Sequence, residues 1–159
     1  MNEAQIKKIV ENTLSSLKKG PTQVTLSVAE KLADAVLCEA SRIGVRAVVC
    51  VSDAAGNPKV VKCMDDSYIA SYDVAVNKAF TVVALKMSTK ELKPKAQPGA
   101  SLYGIQFTNN GRIVIFGGGD TLTSKDGTVI GGLGVSGGSE EQDTALSAYG
   151  KRYFETQIQ

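Results

Sequence analysis

The segment from Val129 to Asp143 is the feature that most constrains the fold. It begins as an apolar, β-branched stretch, passes through Gly137 and Gly138, and then becomes polar and acidic. Ser139 and Gln142 have the spacing of a capping box, in which each side chain bonds the backbone amide of the other. The segment therefore predicts a buried strand, a glycine turn and a helix in direct succession. Its glycines also let the backbone approach a packed neighbour or a ligand held at the helix N-terminus.

Composition excludes several classes of function. The 159 residues are 43% hydrophobic and 21% charged, with a net charge of +2, which predicts a soluble globular protein without the basic face that binds nucleic acid. No apolar run reaches the roughly 18 residues of a membrane span. The chain contains no histidine, so a Ser-His-Asp triad, an H-E-x-x-H zinc site and histidine-ligated haem are all excluded. We expect no metal site.

The chain contains three cysteines, Cys38, Cys50 and Cys63, which is an odd number, and they are widely spaced. This usage predicts buried thiols in a reducing compartment, and hence a cytoplasmic location.

The first 20 residues are predicted to form an amphipathic helix and linker, separate from a domain over residues 21–159. Apolar side chains recur at intervals of three and four residues, and Gly20-Pro21 stops the helix. So short a helix is marginal alone, so its stripe needs a partner surface. The partner surface could be the chain's own domain, a sister subunit or a groove on another protein. A membrane surface is a weaker alternative, because the stripe contains no Trp or Phe. The stripe comprises Ile6, Ile9, Val10, Thr13, Leu14 and Leu17.

The first half of the body reads as helix, hairpin and helix. Ser27 and Glu30 predict a capped helix to about Ile43, and the β-branched residues 45–52 and 59–64 predict a hairpin around the turn at residues 53–58. A long helix is predicted from a cap at Asp65–Ser67 to about Leu85, and a short one from Ser88 to Pro94. The expected core stripe of the long helix is Ile69, Tyr72, Val76, Phe80 and Val83.

The second half is rich in β-structure. The sequence of residues 102–107 is compatible with either a helix or a strand, and a strand is predicted at residues 113–116. The dipeptide Asp126-Gly127 predicts a hairpin turn that leads into a strand at residues 128–135. The last helix is predicted over residues 140–154. This order predicts an α+β fold: a mainly antiparallel sheet of about five strands flanked by helices.

Several residues could carry chemistry. The glycine turns at residues 117–120 and 131–138 lack nucleotide-loop motifs but together could floor a pocket. Asp65 and Asp66 could bind a cation or act as acid and base, although their position also suits helix capping. Met64, after Cys63, could offer soft ligation to a metallo-macrocycle or simply pack in the core. Lys78 could pair with a carboxylate or a ligand anion, or be a solvated helical lysine.

A series of short motifs occurs in one order along residues 24–154. They are Asp53-Ala-x-Gly56, Met64-Asp65, Lys78-Ala79-x-Thr81, Gly117-Gly118, and Gly134-Val-Ser-Gly-Gly138 with Gln142-Asp143. In this order the chain resembles the GlcG/HbpS family, which includes the carboxy-terminal domain of PduO-type proteins. The resemblance implies a profilin-like sheet flanked by helices, homo-oligomers, and a link to haem or corrinoids.

The chain departs from the family pattern in two places. Asn57-Pro58 stands where the family commonly has His after the glycine, so histidine-dependent haem binding is not expected. The adenosyltransferase domain of PduO proteins is missing, so corrinoid adenosylation is not expected either. In its place, the amino-terminal helix resembles the encapsulation peptides of bacterial microcompartments. This predicts a location in the microcompartment lumen and a shell-protein partner that contacts Ile6, Ile9, Val10, Leu14 and Leu17.

The resulting hypothesis is an oligomeric accessory protein that binds a corrinoid or haem-type tetrapyrrole in a microcompartment, such as one for diol utilisation. The alternatives are an enzyme acting on a small metabolite, with Asp65 or Lys78 as acid–base group, and a ligand-free structural protein. The hairpin and both glycine turns are expected to meet at one end of the sheet, where the amides of residues 136–140 could hold an anionic group. The candidate pocket residues are Asp53, Asn57, Met64, Asp65, Lys78, Gly118, Ser136 and Gly137.

Overall fold

The computed structural model describes residues 2–17 and 20–159. Within these residues the chain forms five α-helices, four strands and three short helical turns. The helices are α1 (Glu3–Leu17), α2 (Leu26–Arg42), α3 (Ile69–Leu85), α4 (Thr89–Lys95) and α5 (Glu140–Tyr153). The strands are β1 (Val48–Asp53), β2 (Pro58–Cys63), β3 (Gly119–Thr123) and β4 (Val129–Ser136). The turns are the 3₁₀ segments Ile105–Phe107 and Asn109–Gly111 and the π-helical segment Phe154–Ile158.

The described strands form one antiparallel sheet in the order β2-β1-β4-β3. This confirms the predicted α+β class, with four strands where about five were expected. The predicted strand at 113–116 is wrong, because this segment is a loop and β3 begins at Gly119. Its backbone is tied to a helix instead: the amide of Val114 donates to Thr81 Oγ1 of α3 at 3.0 Å.

Helices cover both faces of the sheet, and the two faces differ in composition. On one face, α2 and α5 pack against large apolar side chains of β1 and β4, including Val49, Val51, Leu133 and Val135. On the other face, α3 lies against the glycines of β4. A Cβ atom on Gly134 would lie 2.0 Å from the carbonyl oxygen of Ala75, so only glycine lets α3 approach this closely.

The predicted core stripe of α3 is wrong for Ile69 and Tyr72, whereas Val76 packs against the buried residues of β1 and α3 and Phe80 and Val83 are half-buried. Ile69 is 97% exposed and Tyr72 is 54% exposed. The buried face of the helix instead carries mostly small or polar side chains: Ser71, Ala75, Asn77, Lys78, Ala79, Thr81 and Val82. Because the glycine-rich strand leaves little room for large side chains, the bulky residues Ile69 and Tyr72 point outward.

Two capping boxes match their sequence signals. Ser139 Oγ accepts from the amide of Gln142 at 3.3 Å, and the Gln142 side chain accepts from the amide of Ser139 at 2.9 Å, as predicted. Ser88 and Glu91 form the second box at the start of α4. This short helix runs to Lys95, so Pro94 lies inside its last turn and does not end it.

Two predicted caps are wrong. Helix α2 is capped by Thr25, which accepts from the amide of Val28, and not by Ser27. Helix α3 has Tyr68 as its N-cap with no side-chain bond, so Asp65–Ser67 precedes the helix without capping it. Asp66 adopts φ of 62°, which turns the chain between β2 and α3.

The cysteines are only partly as expected. Cys50 is buried in β1, where burial raises the pKa of its thiol to about 12. Cys38 and Cys63 are exposed, so the prediction of three buried thiols is wrong for them.

Helix α1 forms as predicted and leaves its apolar stripe uncovered. Ile6, Ile9 and Val10 are 46%, 53% and 49% exposed. The side chains of Leu14 and Leu17 lie outside the described part of the structure. Over residues 2–17 and 20–159, no helix combines the length and apolar character that crossing a membrane requires.

Candidate functional site

Both glycine turns lie at the same end of the sheet, here called the glycine-turn end. The amide of Val135 donates to the carbonyl oxygen of Gly118 at 2.8 Å, which joins the turn at 117–119 to the end of β4. The chain leaving β2 reaches the same end, where the amide of Met64 donates to Ala47 at 3.0 Å. The Asp53–Pro58 hairpin lies at the opposite end.

The expectation that the hairpin meets the glycine turns within one chain is wrong. Val48 pairs with Ser136, whereas Asp53 pairs with Gly131. The five residue steps of β1 between these pairs span about 17 Å at ~3.4 Å per residue.

Two adjoining cavities open at the glycine-turn end. One has a volume of ≈ 270 Å³ and the other of ≈ 460 Å³, and they share the wall formed by Tyr68, Gly137 and Gly138. The smaller cavity is otherwise lined by Ala70, Ser71, Val74, Phe116, Ser136, Glu140 and Asp143. The larger, more polar cavity is otherwise lined by Gly44, Val45, Arg46, Asp66, Ser139 and Gln142.

A buried ion pair lies behind the smaller cavity. Lys78 Nζ donates to Asp143 Oδ2 at 3.0 Å and to the carbonyl oxygen of Val135 at 2.7 Å, and its side chain is 0% exposed. The ammonium also lies 4.9 Å from the centroid of the Phe116 ring. The interpretation of Lys78 as a solvated lysine is therefore wrong, and the alternative of a carboxylate partner is confirmed.

Glycine at position 118 is required by this pair. A Cβ there would lie 2.5 Å from Lys78 Nζ and 2.8 Å from Asp143 Cβ, and the residue has φ of 112°, which disfavours any side chain. The predicted residues Lys78 and Gly118 thus belong to one packed unit.

Burial acts on both members of the ion pair. It lowers the pKa of Lys78 and raises the pKa of Asp143, and in each case the charge of the other member opposes the shift. Lys78 lines neither cavity, because all its contacts point into the protein. Its hydrogen bonds brace α3 against β4 and α5.

The amides at the start of α5 are already occupied. Gly138 donates to Asp143 Oδ1 at 2.9 Å, and Ser139 donates to the side chain of Gln142. Glu140 accepts from the amide of Gly117 at 2.9 Å and pairs with Lys93, and these contacts lower its pKa. Two of the amides that could hold an anion at residues 136–140 are therefore bonded internally, and the acidic residues in the first turn of α5 disfavour an anion there.

Comparisons with known proteins identify the family. The family model described as haem-degrading protein HbpS-like matches residues 24–151. This chain belongs to the HbpS-like family.

Relatives of the HbpS-like chain include proteins of known and unknown role. It is 48% identical, over 78% of its length and 87% of the relative, to an uncharacterised 15.0 kDa protein from the dhaT-dhaS intergenic region of Citrobacter freundii. It is 38% identical to the corrinoid adenosyltransferase PduO of the same organism, covering 92% of this chain but only 47% of PduO. The chain thus spans about half the length of that relative.

A solved structure shares the fold. The crystal structure of a PduOC–haem complex superposes with a TM-score of 0.79 at 39% identity, covering 82% of this chain and 94% of that one. The expected GlcG/HbpS-like, PduO-like fold is therefore confirmed.

The predicted site residues of the HbpS-like chain divide into two groups. Met64, Asp65, Lys78, Gly118, Ser136 and Gly137 lie at the glycine-turn end, whereas Asp53 and Asn57 lie at the hairpin end. Asp53 serves its own turn, because its carboxylate accepts from the amides of Ala55 and Asn57 at 2.9 and 3.0 Å. Ser136 Oγ donates to Ser71 Oγ at 3.1 Å in the buried wall of the smaller cavity.

Soft ligation by Met64 does not fit the geometry. Its sulfur accepts from the amide of Ala47 at 3.3 Å, and its side chain packs against the core beneath α2. In the described part of the chain, no three or more Cys, Asp or Glu side chains cluster so that they could hold a metal ion.

The cavity-lining residues that the sequence patterns do not single out include Arg46, Tyr68, Ser71 and Phe116. Phe116 had a usable signal, since it directly precedes the glycine run at 117–119. Tyr68 follows Asp66, whose positive φ turns it toward both cavities, and no local pattern reveals that turn.

Proposed function

We propose that this HbpS-like chain is an oligomeric accessory protein that binds a haem-type or corrinoid tetrapyrrole at its glycine-turn end. The observation that carries the proposal is its likeness to PduOC, whose crystal structure contains haem, over 82% of this chain and 94% of that one. Both PduO and the HbpS-like family model extend this likeness to proteins of corrinoid and haem metabolism.

The residues at the cavities suit a flat, partly apolar macrocycle with polar edges. Tyr68, Val74 and Phe116 offer aromatic and apolar surface, as ligand sites usually do. Arg46 borders the larger cavity and suits the carboxylates at a haem edge. Neither cavity of ≈ 270 or ≈ 460 Å³ encloses a whole macrocycle, so the ligand would span the shared wall and remain partly exposed.

A bound haem would supply its iron centre, and the chain would supply orientation and partial exclusion of water. Tyr68 is 72% exposed at the wall shared by both cavities. Tyrosine is among the residues that hold haem iron in proteins, so Tyr68 is the residue that would hold the iron of a bound haem in this histidine-free chain.

Ligand titration tests the proposal. Haemin, hydroxocobalamin and flavin mononucleotide are added separately, and binding is followed by absorbance and by the shift in melting temperature. We expect haemin or hydroxocobalamin to bind and the flavin not to. Ala70→Trp, which fills the smaller cavity, should weaken binding by about tenfold or more, or ~1.4 kcal/mol. Ala145→Trp, in the separate groove beside Lys90, is the matched control and should bind normally. If neither tetrapyrrole binds wild-type protein, the proposal fails.

We further propose that α1 directs the protein to the lumen of a bacterial microcompartment by docking on a shell protein. The half-exposed stripe of Ile6, Ile9 and Val10 and the likeness to PduO support this role. Residues 1–20 fused to a fluorescent protein should co-purify with shells, and the same fusion carrying Ile9→Glu should not. A wild-type fusion that stays outside the shells would contradict the targeting role.

One observation favours a second function, an enzyme acting on a small hydroxylated metabolite. The smaller cavity, at ≈ 270 Å³, combines the hydroxyls of Ser71 and Ser136 with the carboxylate of Asp143. Of the two acid–base candidates, Lys78 is enclosed, and Asp65 is exposed after β2 at the same end of the sheet but lines neither cavity. If neither tetrapyrrole binds and a small polyol raises the melting temperature, that result would favour this alternative. A protein that none of these compounds stabilises would be a structural component.

A further inference from the structure

The larger cavity at the glycine-turn end carries an acid without an ion-pair partner. Three acids and one base line the two cavities: Asp66, Glu140, Asp143 and Arg46. Glu140 and Asp143 each pair with a lysine. Asp66 is exposed and forms no ion pair with any residue among 2–17 and 20–159. A negative charge therefore borders the larger cavity without a bound counter-charge.

Gln142 contributes hydrogen-bond donors to the same cavity. Its side-chain oxygen accepts from the amide of Ser139 at 2.9 Å, and this bond assigns which end of the side-chain amide is the oxygen. Its nitrogen, Nε2, donates to no atom of the described residues, so two N–H groups are available to a ligand. The guanidinium of Arg46 adds further donors. The cavity lining thus combines donors from Gln142 and Arg46 with an acceptor from Asp66.

This combination of donors and acceptor matches a primary amide better than a carboxylate. A primary amide accepts through its oxygen and donates through its nitrogen, so it can bond Gln142 and Asp66 together. An ionised carboxylate only accepts, so it leaves Asp66 without a donor and adds a second negative charge to the same cavity. Arg46 attracts a carboxylate, but the charge of Asp66 in the same lining opposes that attraction. Binding sites discriminate strongly against a ligand that leaves one of their polar groups unpaired.

The surface around the cavities has the same sign as Asp66. Asp65 follows β2, Asp73 lies in the second turn of α3, and Glu141 lies in the first turn of α5. All three are exposed, and none forms an ion pair within the part of the chain that the structure describes. An anionic ligand is therefore repelled as it approaches, and dissolved salt weakens this repulsion.

We propose that the site selects a tetrapyrrole whose ring edge carries primary amides, as in a corrinoid, over one whose edge carries carboxylates, as in haem. The inference rests on the proposed function, because it requires a tetrapyrrole in the adjoining cavities. The ring would lie against Tyr68, Val74 and Phe116 of the smaller cavity. Its edge would reach Asp66 and Gln142 in the larger one.

A matched pair of ligands isolates the ring edge. Haemin and its diamide, in which both propionate groups are converted to primary amides, share the same ring and iron. Each is titrated into the protein, and binding is followed by absorbance. We expect the diamide to bind about tenfold more tightly than haemin. The affinity for haemin should rise when NaCl is increased from about 0.05 M to 0.5 M, because the salt screens the repulsion.

The outcomes separate this selectivity from the proposed function. Haemin that binds as tightly as its diamide would refute the selectivity and leave the proposed function standing. If haemin, its diamide and hydroxocobalamin all fail to bind, the proposed function is wrong and the selectivity is wrong with it.

Asp66→Asn tests the acceptor. Asparagine tolerates the φ of 62° at this position, so the variant should melt close to wild type. The new amide can donate to a carboxylate, so the two ligands should bind within about twofold of each other. Asp73→Asn is the matched control, because it removes an equal charge at the same end from a side chain that lines neither cavity. It should keep the wild-type preference, and an equal loss in both variants would overturn the role of Asp66.

Gln142→Glu tests the donors independently. Glutamate at this position keeps the capping box, since its carboxylate also accepts from the amide of Ser139, but the two N–H groups are lost. The affinity for the diamide should therefore fall by about fivefold or more. An unchanged affinity for the diamide would overturn the role assigned to Gln142.

Discussion

The two faces of the sheet are built in different ways. Beneath α2 and α5, large apolar side chains such as Leu32, Leu133 and Leu146 fill the space, as in an ordinary hydrophobic core. Beneath α3, backbone meets backbone across Gly132 and Gly134, and the largest buried side chain is a charged one, Lys78. The first face is held mainly by burial of apolar area, and the second by close fit and one ion pair. The candidate site lies at the end of the second face.

The largest effect should come from breaking the ion pair beneath α3. Lys78→Met leaves the Asp143 carboxylate buried without its cation, and we expect a loss of about 3–5 kcal/mol in the free energy of unfolding, measured by urea denaturation. The double variant Lys78→Met/Asp143→Leu removes both charges and should recover most of that loss. A single variant as stable as wild type would show that the pair contributes nothing to this face.

A matched pair of glycine substitutions tests whether the two faces differ in tolerance. In Gly134→Ala the new carbon would meet the Ala75 carbonyl oxygen at 2.0 Å, a backbone atom that cannot yield, and we expect a loss of about 3 kcal/mol or more. In Gly150→Ala it would meet the side-chain ends of Leu133 and Val36 at 2.5 and 2.7 Å, which can shift.

Gly150 lies inside α5, and alanine gains about 1 kcal/mol of helix propensity there, so the net change should be near zero. Thermal melts of both variants measure the difference. If both variants lose the same amount of stability, the two faces do not differ in their tolerance of an added side chain.

The smallest expected change in stability comes from replacing the carboxylate of Asp120, which lies on the α5 side of the sheet. Burial raises the pKa of Asp120, although Ser147 Oγ donates to it at 2.7 Å. A folded-state pKa above the unfolded value means that this group favours folding at low pH and that the benefit disappears as pH rises through the folded pKa. Asp120→Asn keeps an acceptor for Ser147 without the charge, so it should be more stable than wild type by about 1 kcal/mol at pH 7 and show no gain near pH 3.

Asp126 provides the control of opposite sign. Bonds from Ser124 and Thr128 lower its pKa to about 2, so its contribution is present at neutral pH and is lost as pH falls from about 4 toward 2. Asp126→Asn should therefore be less stable than wild type at pH 7. The measurement is urea denaturation of both variants across pH 3–7, and a parallel pH response of the two variants would contradict the assignment.

Local signals predicted the local structure well. The Ser139–Gln142 box lies within four residues and needs no tertiary information, and the order of helices and strands follows from periodicity. The core stripe of α3 could not be assigned in this way, because an apolar helix face does not reveal whether it packs on its own sheet or on a partner. The missing signal was in β4: a strand that turns Gly132 and Gly134 toward the helix above it accepts only small side chains from that helix.

The candidate site was half predictable for a related reason. Motif order along the chain indicates which residues belong to the family pattern, but not which end of a strand each one occupies. Asp53 is the last residue of β1, whereas Ser136 pairs with Val48, the first residue of that strand, so the two lie at opposite ends of β1. The buried state of Lys78 also depends on a residue 65 positions away, Asp143, which no local pattern connects to it.

The carboxylate of Asp143 has one further consequence. One of its oxygens holds Lys78 of α3 and the other holds the amide of Gly138 in the turn before α5. Any swinging of that turn would have to break the hydrogen bond from the Gly138 amide to a carboxylate that the buried Lys78 ammonium holds in place, so this part of the cavity wall is anchored to the interior. The Gly138 amide should therefore exchange its hydrogen slowly.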